Sequence, residues 1–231
     1  MATVPDAATV SQLPLFAGLP PDQLARLTPH LHALTLPAGA TLMHEGQPAE
    51  ALYVLVLGTA KVEAIEAGGR PVILALLGPG DLLGELSVLE QTTRTATVVA
   101  LEETQLLWLD RATVQQALQR LPLLTLNLAH ALARRLCVTN AQLRALATQD
   151  VFGRVARQLL ALAEAYGEPT PSGAVRLPLR LTQSELAALV GASRVRVNQV
   201  LVAYQEQGYL SSDPRQHLTL HDVAALARRC Q

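Results

Sequence analysis

Along residues 35–110 short apolar stretches alternate with glycines rather than with polar helix faces. Gly39, Gly46, Gly58, Gly68, Gly69, Gly78 and Gly80 punctuate the run, and between them residues 51–57, 72–77, 96–101 and 105–109 have strand length and valine or leucine content. Short strands with turn signals between them predict a β-sandwich or β-roll. A helix over residues 20–34 is expected to precede it.

From residue 121 the turn signals vanish. Leu124, Leu128, Leu132 and Leu136 recur every four residues and the stripe resumes at Leu143 and Leu146, which predicts one long helix over 121–149 with Pro122 in its first turn. That stripe is longer than a small roll needs to cover, so part of it is expected to face a second copy of the chain. A helix packed only on its own domain is the plainer alternative. Thr139 and Asn140 interrupt the stripe; polar residues in a seam either fix its register or meet a polar ligand, and the spacing leaves both open.

Residues 151–166 predict another amphipathic helix and 167–173 a loop. Thr182, with Glu185 three residues later, is a capping box that opens a helix through Val190. Gly191 and Ala192 then supply a turn, and Ser193 caps a second helix through about residue 207, with Val197, Val200 and Leu201 inward and Gly208 as its stop. Residues 209–220, with Asp213-Pro214 at a turn, suit a small hairpin wing. The expected architecture is thus α+β: a jelly-roll-like β-roll over 1–120, a long helix over 121–149, and a winged helix-turn-helix over 150–231.

Composition fits two unequal domains: 231 residues, 50% hydrophobic. Cys137 and Cys230 are the only cysteines, too few for a disulfide framework, a zinc module or an iron–sulfur site. No metal is expected. Residues 1–11 carry no basic residue, and no uncharged apolar stretch approaches ~18 residues, so neither a leader nor an anchor is expected and the chain reads as cytoplasmic, without a membrane partner. The net charge of −1 hides an asymmetry: 9 basic and 13 acidic residues up to Asp150 give −4, and the remaining 9 basic and 6 acidic give +3. Any nucleic-acid contact belongs in the C-terminal part. The six histidines form no convincing site, and the pairs His30 with His32 and His217 with His221 read as surface residues rather than ligands. With no nucleophile–base pair, no enzyme is expected.

The start of the second C-terminal helix carries Arg194, Arg196, Asn198 and Gln199, side chains suited to base edges or phosphates in a major groove. Upstream, a short helix beginning near Glu85 points backbone N–H groups outward, and Arg94 adds a permanently charged fork suited to a phosphodiester. Glu85 is ill placed beside a phosphate unless it accepts from another donor, such as a ribose hydroxyl. A surface ion pair between Glu85 and Arg94 is the plainer reading.

Three stretches together resemble the CRP/FNR regulators, the family of the cyclic AMP receptor protein, across nearly the whole chain. They are Gly84-Glu85-Leu86-Ser87-Val88-Leu89 with Arg94-Thr95-Ala96-Thr97, then Ala133 through Asn140, then Leu189-Val190-Gly191-Ala192-Ser193-Arg194. The resemblance implies a homodimeric transcription regulator controlled by a cyclic nucleotide. It implies an effector site at Leu83, Gly84, Glu85, Leu86, Arg94, Thr95, Ala96 and Arg135. Glu85 would meet the ribose, and Thr139 and Asn140 the purine, one residue from each subunit. Because Thr139, Asn140 and Arg135 follow the cyclic-AMP-responsive pattern, cyclic AMP is the expected effector; a regulator of the same fold that needs no effector, or another one, is the alternative. The expected partners are double-stranded DNA with a near-palindromic operator, a second copy of the chain, and RNA polymerase. DNA contacts fall to Thr182, Gln183, Ser193, Arg194, Arg196, Asn198 and Gln199. Two positions depart from the family's best-known recognition helix: Val195 replaces a glutamate and Gln199 an arginine, so the operator is expected to differ.

Overall fold

In the computed structural model, which describes residues 5–66, 69, 71–214 and 217–230, the chain forms two compact units, Met1–Cys137 and Val138–Gln231. The first opens with α1 (Ala7–Gln12), capped by Asp6, and α2 (Pro21–Leu27). The helix expected over 20–34 stops early. Pro29 lacks the N–H that would continue the ladder, and after a 3₁₀ turn over Thr28–His30 the chain extends into β1 (His32–Leu36). Leu34 and Leu36 face one core and Ala33 the other, so a leucine spacing that suggests a helix is strand alternation here.

The roll continues through β2 (Thr41–Met43), β3 (Ala51–Leu57), β4 (Ala60–Ile65), β5 (Pro71–Leu77), β6 (Leu82–Leu83), α3 (Glu85–Glu90), β7 (Thr97–Ala100) and β8 (Thr104–Asp110). The strands form two antiparallel four-stranded sheets, β1-β8-β3-β6 and β2-β7-β4-β5. Met43, Leu55, Ala60, Leu77, Leu83, Val98 and Leu106 pack together in one core. The opposite face of the first sheet, with Leu52, Val54, Leu107 and Leu109, is covered by Phe16, Leu24 and residues from the helices that follow the roll. A sheet buried on both faces needs apolar residues at successive positions, which is why β3 and β8 read as unbroken runs.

Those helices are α4 (Arg111–Arg120), capped by Asp110, and α5 (Pro122–Thr148). α5 is about 40 Å long at 1.5 Å per residue. Its stripe changes character along that length: Leu124 and Leu128 are buried, whereas Leu136, Leu143 and Leu146 are 60%, 65% and 51% exposed.

In the second unit, Asp150 caps α6 (Val151–Tyr166), which buries Val155, Ala156, Leu159 and Leu162. The segment expected as a loop holds a short strand, β9 (Glu168–Pro169), paired with β10 (Val175–Arg176). Then follow α7 (Gln183–Val190), α8 (Arg194–Glu206), β11 (Leu210–Ser212), β12 (Leu218–Leu220) and α9 (Val223–Arg228). β11 and β12 form the expected hairpin, joined to β10 and β9 in one sheet; residues 215 and 216 of its turn lie outside the described residues. His217, expected at the surface, is buried, its Nδ1 2.8 Å from Asp213 Oδ2 and its backbone N–H donating to Asp213 Oδ1. Among the described residues no single helix is long and apolar enough to cross a membrane.

Candidate functional site

Gly84 links β6 to α3 with φ of +74°, a conformation that glycine adopts without strain. It also has no room for a side chain: a Cβ there would collide with the Arg94 guanidinium. Arg94 is 4% exposed, and its guanidinium donates from Nη1 to the Gly84 carbonyl (3.0 Å) and from Nη2 to the Ala51 carbonyl (2.7 Å). The Arg94 backbone is fixed as well, since its N–H donates to Gln47 O and its carbonyl accepts from Gly46 N. Burial pulls the Arg94 pKa below its ordinary value, with Tyr53 and Glu85 opposing.

Glu85 is 2% exposed, and its Oε1 accepts from Arg135 Nη1 at 2.5 Å; Arg135 Nη2 donates to Leu82 O at 2.7 Å. The plainer alternative, a surface pair between Glu85 and Arg94, does not hold: Glu85 is buried and its partner is the partly exposed Arg135, brought in by α5. Burial pushes the Glu85 carboxyl above its ordinary range, and the attraction of Arg135 only partly offsets this.

Leu83, Gly84, Glu85, Leu86, Arg94, Thr95, Ala96 and Arg135 line one concavity, whose apolar wall includes Met43 and Val98. No side chain caps the start of α3 beside it. Thr139 and Asn140 are not among the lining residues; both are exposed on α5, about one turn after Arg135. Ala51, Tyr53 and Met43 escape a reading of the sequence. Ala51 acts through its carbonyl, and Tyr53, whose ring centroid is 5.9 Å from the Arg94 guanidinium carbon, sits within a strand pattern.

In the second unit α7 and α8 meet at 104°, inside the range of a DNA-binding helix-turn-helix. The capping box is present: Thr182 Oγ1 accepts from Glu185 N, and the Glu185 carboxylate accepts from Thr182 N. Gly191 makes the turn at φ +63°, with Leu146 of α5 against it. Ser193 Oγ accepts from Arg196 N, so the Ser193 and Thr182 hydroxyls serve as caps. Arg194, Arg196, Asn198 and Gln199 are exposed at the start of α8. Arg196 Nη1 donates to Gln199 Oε1 (3.1 Å), and Gln183 Nε2 donates to Asn198 Oδ1 (2.7 Å).

A residue with no signal in the sequence holds this motif together. Arg154 of α6 donates from Nε to Val190 O (2.8 Å), from Nη2 to Gly191 O (3.3 Å) and from Nη1 to Gln149 O (2.9 Å). It thereby satisfies carbonyls at the end of α7 that have no partner within their own helix.

Residues 33–121 match the cyclic nucleotide-binding domain family, and residues 153–229 the Crp-like helix-turn-helix domain. The chain is 36% identical over 217 residues to a CRP-like cAMP-activated global transcriptional regulator of Mycobacterium tuberculosis, covering 94% of this chain and 96% of that one. It is 36% identical over 201 residues to a cyclic AMP receptor protein of Thermus thermophilus, covering 87% and 89%. Among solved structures, the c-di-GMP responsive global regulator CLP of Xanthomonas campestris superimposes with a TM-score of 0.74 at 28% identity, over 87% of this chain and 98% of that one. The Thermus thermophilus catabolite activator protein does so with 0.52 at 34% identity, over 94% and 98%. A nucleotide-binding roll, a long helix and a Crp-like helix-turn-helix, in that order and at this level of identity, identify the chain as a member of the CRP/FNR family of transcription regulators.

Proposed function

We propose that this regulator is a homodimer switched by cyclic AMP. One observation carries the reading: the buried Arg94 fork, fixed by two main-chain carbonyls on the edge of a concavity that also holds Glu85. A phosphodiester anion suits the fork, and ribose hydroxyls are the donors that a buried carboxylate accepts. The relatives named for cyclic AMP support this effector over other cyclic nucleotides, and the Thr139-Asn140 pair supplies polar groups for a purine, one from each subunit. In this reading residues 1–120 sense, 121–149 join the two copies, and 150–231 read a near-palindromic operator, with RNA polymerase as the downstream partner in the cytoplasm.

Binding that differs between two arrangements of the dimer shifts the population toward one of them. Cyclic AMP then selects the spacing of the two α8 helices, expected near one helical turn of DNA, about 34 Å.

Calorimetric titration tests the effector. Cyclic AMP should bind with measurable heat and tighten operator binding, whereas absence of heat and of any melting shift at ~100 times the expected Kd, where about 2.7 kcal/mol of stabilisation is due, would sink it. Arg94→Ala should weaken nucleotide binding roughly 100-fold or more, from the loss of two charge-assisted bonds. Arg94→Lys, which keeps the charge and loses the fork, should recover only part of this. Unchanged affinity in both variants refutes the role of Arg94.

A further inference from the structure

On α8, at about 100° per residue, Val197, Val200, Leu201 and Tyr204 form the buried stripe. The direction opposite the centre of that stripe falls about 10° from Val195. Val195 is therefore the most outward residue at the start of the helix, and at 68% it is the most exposed of the large apolar side chains described. Arg194 and Arg196 flank it on either side, toward where the strands of a duplex would run.

The polar neighbours one turn later are already engaged, Asn198 with α7 and Gln199 with Arg196 of its own helix. Asn198 Oδ1 accepts from Gln183, and Gln199 Oε1 accepts from Arg196. The centre line of the groove-facing surface is thus apolar, between two cations. In a major groove the apolar feature of a base edge is the C5-methyl of thymine.

We infer that Val195 is a specificity-determining residue that reads a thymine C5-methyl group in each half of the operator. The inference rests on the DNA-reading role of α8 and adds the base that its foremost side chain selects. Valine has no acceptor for the amino group of cytosine and no donor for the guanine O6 or N7, so it selects T·A through contact between methyl groups. Arg194, which carries no hydrogen bond or ion pair among the described residues, remains available to a neighbouring guanine or to phosphate.

The test is a selection from a random duplex pool with the full-length chain and cyclic AMP, followed by single-atom-group changes in the winning operator. A thymine should be enriched at one position of each half-site. Its replacement by deoxyuridine, which removes only the methyl, should weaken binding about fourfold per half-site, the value of one buried methyl-sized group. Val195→Ser should bind the thymine and uracil operators alike, and Val195→Glu should shift the selected base toward cytosine. Melting temperatures of both variants should match the parent, because the side chain is exposed.

An enriched operator whose every thymine tolerates loss of its methyl overturns the inference alone. So does a methyl preference that survives in Val195→Ser. A pool in which no sequence is enriched removes the DNA-reading role, and the inference with it.

Discussion

Glu85 shows how much a single side chain departs from what its place in the chain suggests. Its neighbours in sequence give a short helix and a nearby Arg94, but its ion partner, Arg135, is fifty residues away and on another element. No local spacing encodes that pairing; it follows from α5 packing on the roll. The consequence is a measurable pH effect. A carboxyl whose folded pKa is raised binds protons more readily folded than unfolded, so its contribution favours the folded state at low pH and is lost as pH rises from the ordinary value of 4.5 through the folded one. Chemical denaturation of the parent and of Glu85→Gln across pH 4 to 7 should show the parent losing ground to the variant as pH rises. A difference independent of pH would mean that burial does not penalise this carboxylate.

Elements were legible where one physical signal dominates. The 151–166 helix, the capping box at Thr182 and the turn at Gly191 all stand where local chemistry puts them, because caps and left-handed glycines act within a few residues. Over 20–34, leucines facing two different cores imitate a helical stripe, and only Pro29 hints at the break. α4 has one local signal, its cap. Asp110 Oδ1 accepts from Thr113 N at 2.9 Å and its Oδ2 from Thr113 Oγ1 at 2.5 Å, and these bonds hold its pKa below 3.8. Asp110→Ala should cost about 1 kcal/mol at neutral pH. Because a lowered carboxylate stabilises only while ionised, that difference should shrink as pH falls below 3.8 toward the folded value; urea titrations at pH 7 and near pH 3 provide the check.

For the whole molecule, the sensor-helix-reader order was legible because each part has its own period: short strands with glycine turns, a four-residue leucine repeat, a capped helix pair. What the repeat could not reveal is where it stops facing its own roll. That change lies between Leu128, buried, and Leu136, exposed, and in the proposed homodimer the exposed part of α5 faces the second copy. Leu136→Glu with Leu143→Glu should yield a monomer in sedimentation, since two leucines from each chain at about 1.5–3 kcal/mol apiece are withdrawn from the seam. A dimer that persists would place the interface elsewhere.

Among the described residues, every buried polar side-chain atom has a partner inside the chain, Arg94 and Glu85 included. The polypeptide thus completes its own core without borrowing bonds from a small molecule. In the proposed switch, the effector can then come and go on a chain that stays folded.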